Sequence, residues 1–154
     1  MIRKIEITDL ERIKEIIISE KVSDEIESFK NLDMNYDKAV ETVKYWILSK
    51  DSLVFLDEED GEITGFIFGA VYSPWCANDK HAVEYILYVR KQFRGKKIAT
   101  NLLKEFNNAA INAGCKEIHT GIVVSNSNSR IRLRILTKLG YETSMFYLKK
   151  VINE

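Results

Sequence analysis

The chain has 154 residues and balances 23 lysines and arginines against 23 aspartates and glutamates. Proteins that live on nucleic-acid phosphates carry a basic excess, so zero net charge counts against that class. With 45% hydrophobic and 30% charged residues the composition is that of a globular protein able to bury a core, expected as one domain over residues 1–154, and no apolar run approaches a membrane span.

Ile2 to Thr8 alternates apolar and polar residues and predicts an opening strand rather than a signal peptide. Thr8-Asp9-Leu10-Glu11 is a helix-start signature. Leu10, Ile13, Ile16 and Ile17 then keep helical spacing. A polar, acidic stretch follows, with Asp24, Glu25, Glu27 and Asp33. A second helix is predicted from about Tyr36 to Ser49, with Ala39, Val40, Val43, Trp46 and Ile47 on one face.

Leu53 to Leu56 predicts a strand and Ile63 to Tyr72 its return, with Asp60-Gly61 as the hairpin turn between them. Gly65 and Gly69 sit in that return strand, where they mark a close neighbour or a bulge. The only proline, Pro74, opens a loop that runs to Lys80. Ala82 to Val89 is the next strand. A helix carries Ile98, Leu102, Leu103, Phe106, Ala109, Ala110 and Ile111 inward and stops at Gly114. Glu117 to Val124 is a strand, Ser125 to Ser129 a polar loop, Arg130 to Leu139 a helix and Tyr141 to Lys150 a last strand. The fold class is therefore α/β (α+β), a mixed sheet flanked by helices. Cys76 and Cys115 lie far apart without metal-ligand spacing, so no metal is expected, and both thiols are expected reduced in the cytoplasm.

One stretch concentrates chemistry. The apolar run Tyr85 to Val89 leads into Arg90-Lys91-Gln92-Phe93-Arg94-Gly95-Lys96-Lys97, and a helix begins at Ile98. Strand, tight basic turn and helix start bring several backbone N–H groups and the positive end of a helix dipole to one place, which suits a phosphate.

The element order, this loop and the Leu139-Gly140-Tyr141 ending resemble the GNAT acyltransferases, which use acetyl-CoA. The family's loop reads Gln or Arg, two residues, Gly, one residue, then Gly or Ala. Gln92-Phe93-Arg94-Gly95-Lys96-Lys97 fits except at Lys97, and the register Arg94 to Ala99 has the same exception. The resemblance implies a sheet with one splayed strand pair. It also implies a pyrophosphate held by Gln92, Arg94, Gly95, Lys96, Lys97, Ile98, Ala99 and Thr100. Backbone groups of Leu87, Tyr88 and Val89 would carry the pantetheine arm, and Asn128 or Ser129 would touch the cofactor. The position where relatives often carry a general-acid tyrosine is Leu136, which cannot donate a proton. If Lys97 required a positive φ it would be strained.

Candidate catalytic residues are Glu84, as base, and Tyr85 on the opposite strand face. Each also reads as structure: a salt-bridged strand glutamate and a core tyrosine. His81 and His119 read as bases or as structural histidines. Arg130, Arg134 and Lys138 share a helix face, either toward a phosphate or toward water. Trp75 and the acidic stretch would border the acceptor groove or sit in solvent. The resulting expectation is an N-acetyltransferase whose partner is a small-molecule or peptide amine, in a family where homodimers are common. The alternative is a catalytically weak acyl-CoA-binding sensor or partner module. A nucleic-acid binder using Arg94, Lys96, Lys97 and the Arg130 helix is the third reading.

Overall fold

A computed structural model describes residues 1–25, 32–122 and 127–144. The strands are β1 (Ile2–Lys4), β2 (Ser52–Glu59), β3 (Glu62–Tyr72), β4 (Lys80–Val89) and β5 (Cys115–His119). The helices are α1 (Leu10–Ser19), α2 (Tyr36–Leu48), α3 (Ile98–Asn112) and α4 (Ser127–Lys138). The sheet order is β1-β2-β3-β4-β5, antiparallel except for the parallel β4–β5 pair.

Alternation along the central strands buries both faces of the sheet. Phe66 and Phe68 pack with Ile13, Ile16, Ile17 and Val43 of α1 and α2. Ile67 between them packs with Leu102, Leu103 and Phe106 of α3 and Leu136 of α4. Asp60 and Gly61 both adopt positive φ, 51° and 78°, as a two-residue hairpin requires.

The glycines of β3 serve both of the roles expected of them. A Cβ on Gly65 would stand 2.7 Å from the Tyr88 carbonyl oxygen, and one on Gly69 would stand 2.3 Å from that of Val83. At Gly69 the register with β4 also shifts: Phe68 faces Ile86, Gly69 faces Glu84, and Tyr85 is the extra residue of a bulge.

Several boundaries differ from the sequence reading. β1 ends at Lys4, and Ile7–Asp9 forms a 3-10 turn. Asp9 does not cap α1 through its side chain, because its carboxylate accepts two 2.7 Å bonds from Arg3 and one of 2.9 Å from the Glu6 N–H. β5 starts two residues earlier than predicted and ends at His119. α4 begins at Ser127, inside the expected polar loop. Residues 141–144 are not strand, and the rest of the predicted last strand lies outside the described residues, as do 123–126 and Glu27.

Candidate active site

The β4-to-α3 junction is built from short-range bonds. The Arg90 N–H donates to the Thr64 carbonyl at 3.0 Å, and Lys91–Phe93 forms a 3-10 turn. The Arg90 side chain is anchored by Glu20 (2.6 Å), Glu62 (2.7 Å) and the Ile63 carbonyl (3.1 Å). Glu20 also accepts from the Tyr88 hydroxyl at 2.8 Å. Burial would push the Glu20 carboxyl up, but Arg90 and Tyr88 hold it below the ordinary range. This knot fixes the end of β4 and the start of the turn against α1.

Beyond it the chain turns at Gly95, whose φ is +90° with open space where a Cβ would stand. Lys97 precedes α3 with φ −78° and ψ 12°, so it needs no left-handed backbone and carries no strain as a lysine. The first helical bond runs from the Asn101 N–H to the Lys97 carbonyl. The N–H groups of Ile98, Ala99 and Thr100 therefore stand in the first turn, which has no helical acceptors for them. Around them, Gln92, Arg94, Lys96 and Lys97 are all exposed. The Arg94 Nε donates to the Val89 carbonyl at 3.0 Å, and the Lys96 ammonium pairs with Glu59 at 2.7 Å.

The β4–β5 pairing runs from Lys80–Cys115 to Val83–His119 and stops. From Glu84 onward, no described strand lies on that side of β4, which is the splay the resemblance implied. The ladder alternation follows from the Arg90–Thr64 bond. Tyr88 turns its backbone to Phe66, while Leu87 and Val89 turn theirs to the open edge. Of the three residues expected there, Leu87 and Val89 hold that edge, and Tyr88 lies buried beneath α1.

Glu84 and Tyr85 go to opposite faces. The bulge puts Tyr85 on the α2 side, where its ring stacks on Trp46 at 5.3 Å and 22°. Burial, together with the nearby Tyr72 and Tyr45 hydroxyls, pushes the Tyr85 phenol up, so it stays protonated around neutral pH. Glu84 points the other way and is only 6% exposed. Its Oε2 accepts from both the Thr120 hydroxyl and the Arg132 guanidinium of α4. Arg132 also donates to the Thr120 hydroxyl at 2.9 Å. Burial pushes the Glu84 carboxyl up, against the pull of Arg132 and Thr120. Val83 and His119 are the last paired residues, so Glu84 and Thr120 face each other where the strands begin to part. The cluster thus sits at the apex of the splay.

The remaining candidates fall around this frame. His81 and His119 stack at 4.7 Å and 8°, and the Tyr72 ring meets His81 edge-on at 4.1 Å. His119 also lies 2.9 Å from Glu117. Burial and His119 push the His81 imidazole down, which leaves it neutral and unsuited to an anion. Arg130, Arg134 and Lys138 are exposed, and Trp75 is 98% exposed. Leu136 is 2% exposed within the α3–α4 core. Tyr141 donates to Asn107 at 2.6 Å, and burial pushes its hydroxyl up to about 12. Ser129 is buried at the start of α4, and the Asn128 side chain lies outside the described residues. Among the described residues there is no group of three or more His, Cys, Asp or Glu able to hold a metal, and no helix long and apolar enough to cross a membrane.

Sequence reasoning missed Arg132, Thr120 and the aromatic neighbours of Tyr85. For Arg132 a signal existed: it stands off the Arg130–Arg134–Lys138 face, between Ile131 and Leu133. The convergence of Tyr45, Tyr72 and Tyr85 depends on strand pairing and had no local signature.

The model of the acetyltransferase (GNAT) family matches residues 13–141. The chain is similar to the crystal structure of the aminoglycoside acetyltransferase meta-AAC0020, from an uncultured soil metagenomic sample, in complex with sisomicin. The TM-score is 0.74 at 16% identity, over 99% of this chain and 96% of that one. It is also similar to AAC(6')-Iy in complex with the bisubstrate analog CoA-S-monomethyl-acetylneamine, with TM-score 0.71 at 19% identity over 98% of each chain. A transcriptional regulator from Bacillus halodurans C-125 matches with TM-score 0.74 at 20% identity over 99% of each chain. These likenesses are of fold. No curated protein sequence matches.

Proposed function

The chain belongs to the GNAT acetyltransferase family, and from that premise we propose that it moves an acetyl group from acetyl-CoA to a primary amine by direct attack in a ternary complex. The observation that carries this reading is the open β4 edge leading straight into a basic turn and the start of α3. The residues fit the group they would hold. Gly95 leaves its Cβ space open, and the negative φ at Lys97 lets its backbone N–H face the same place as those of Ile98, Ala99 and Thr100. Gln92, Arg94, Lys96 and Lys97 would add polar and charge-assisted contacts to the pyrophosphate. Leu87 and Val89 would pair with the pantetheine amides as an added strand, and Ser129 or Asn128 would touch the cofactor from α4.

Acetyl-CoA supplies an activated carbonyl: the acceptor nitrogen bonds to that carbon, the C–S bond breaks, the sulfur leaves as coenzyme A thiol, and the nitrogen gives up its proton. This chain's contribution is position and polarity. The edge N–H groups of Leu87 or Val89 would orient and polarise the carbonyl, and the acceptor would be held on the Tyr85 side. Tyr85, protonated and on the α2 face, is the phenol suited to a proton-donating role. Glu84 faces away behind the apex, so any part it takes in removing the amine proton would run through intervening groups or water.

Calorimetric titration with acetyl-CoA tests the reading. Binding is expected in the wild type and lost in the Arg94→Ala, Gly95→Asp double variant; absence of wild-type binding would sink the proposal. A second reading, an acyl-CoA-binding module without turnover, is favoured by one observation. Leu136 and Tyr141, near the position of the missing acid, are committed to core packing and to Asn107. Binding without thiol release on any of a panel of amines would select it.

A further inference from the structure

The cleft on the Tyr85 face has a composition that chooses among amines. It measures about 430 Å³ and lies between the end of α2 and the sheet. Tyr45 and Trp46 come from α2, Tyr72 and Tyr85 from β3 and β4, and Asp51 from the turn just before β2. The rings are organised. Trp46 stacks on Tyr85 and lies tilted against Phe68 at 5.6 Å. The Tyr45 and Tyr72 hydroxyls are close enough to Tyr85 to disfavour its ionised form. Tyr72 in turn rests on the edge-on contact with His81. Tyr45 is 69% exposed, so its ring forms an outer wall rather than core. Among the described residues that line it, Asp51 is the only charged side chain, and none is a lysine or arginine.

Aromatic faces and one carboxylate attract a single cation attached to an apolar, flat body. A single carboxylate leaves most of the separate ammonium groups of an aminosugar without a counter-charge among the described lining residues. We propose that the acceptor is an amine of this class, an arylalkylamine with one ammonium group, its ring against the exposed Tyr45, Tyr72 and Tyr85 side chains and its nitrogen toward Asp51. This rests on the acetyltransferase reading for turnover but not for binding. Tyr85 links the cleft to the proposed reacting edge, since it lines the cleft and stands two residues before Leu87 on β4.

The test reads amine binding on the protein alone, apart from cofactor binding. Titrations use 2-phenylethylamine, its uncharged analogue 2-phenylethanol, and sisomicin, followed by calorimetry. 2-Phenylethylamine is expected to bind at least ten-fold better than either of the others. Tyr45→Ala, at an exposed position that spares the fold, should weaken it about two- to five-fold. Asp51→Asn should weaken the amine and leave 2-phenylethanol unchanged. Thiol release from acetyl-CoA should rank the amines in the same order. Sisomicin binding as well as or better than 2-phenylethylamine, or no effect of Tyr45→Ala and Asp51→Asn, overturns the inference. If acetyl-CoA fails to bind while 2-phenylethylamine binds as expected, the acetyltransferase reading falls and the amine site stands.

Discussion

Replacing Arg132 with methionine isolates the electrostatics of the splay apex. Among the described residues Arg132 is the only cation bonded to Glu84, whose side chain is 2% exposed. Methionine keeps the aliphatic length but removes the guanidinium, leaving a buried carboxylate with the Thr120 hydroxyl alone. Breaking a buried pair on one side costs about 3–5 kcal/mol. Arg132 is itself 27% exposed, so the lower end applies, about 3 kcal/mol at neutral pH. For a chain of this size that is roughly 6–12 °C in Tm.

The pH dependence carries the diagnosis. Burial already raises the folded-state value for Glu84 above its ordinary 4.5, and loss of Arg132 raises it further. A group whose folded value is raised favours the folded state at low pH, where both states hold the proton. That advantage is lost as pH rises from the unfolded value through the folded one. The slope is at most about 1.4 kcal/mol per pH unit for one proton. The variant should therefore be closest to wild type at and below pH 4.5 and fall away as pH rises above it. Urea denaturation followed by far-ultraviolet circular dichroism, at unit pH steps, measures this. Glu84→Gln added to Arg132→Met should recover most of the loss and flatten the pH profile. A deficit that is constant with pH and unrelieved by Glu84→Gln would refute the account and make Arg132 a packing residue.

Two further outcomes follow from the same geometry. Gly69→Ala drives a methyl into the Val83 carbonyl at 2.3 Å and the Phe106 ring at 2.6 Å. It should cost about 1–3 kcal/mol in urea unfolding, whereas Gly121→Ala, with nothing among the described residues within 4 Å, should be neutral. Asp9, held below its ordinary 3.8 by hydrogen bonds from Arg3 despite its burial, stabilises the fold above that value and loses the effect as pH falls through its folded value. Asp9→Asn should then cost about 1.5–3 kcal/mol at pH 7, and the gap to wild type should close below pH 4.

The parts of the molecule legible in the sequence were those set by local rules. Helix periodicity fixed α1 to α4, the Asp60-Gly61 pair fixed the hairpin, and Gly95 marked a turn that needs positive φ. One boundary failed because a group outside the helix outbid the local signal, and another was simply placed too late. Asp9 reads as a helix cap, yet Arg3 occupies its carboxylate. Ser127 reads as loop, yet α4 already includes it.

The site divided along the same line. Lys97 stood out in sequence as the wrong residue for the loop, but a motif records which residue is usual and not which φ the chain adopts. At −78° a lysine is as acceptable there as a glycine, so the departure from the family pattern concerns side-chain bulk and charge, not backbone strain. Glu84 was visible as a strand carboxylate, but its role depends on which face it takes. The bulge at Tyr85 decides that by giving one extra residue to β4. A one-residue offset sends Glu84 to Arg132 and Tyr85 to Trp46. The same offset separates a buried charge that holds the apex together from an aromatic cleft open to an amine. Any account of acceptor choice in this chain has to begin at that bulge rather than at the loop.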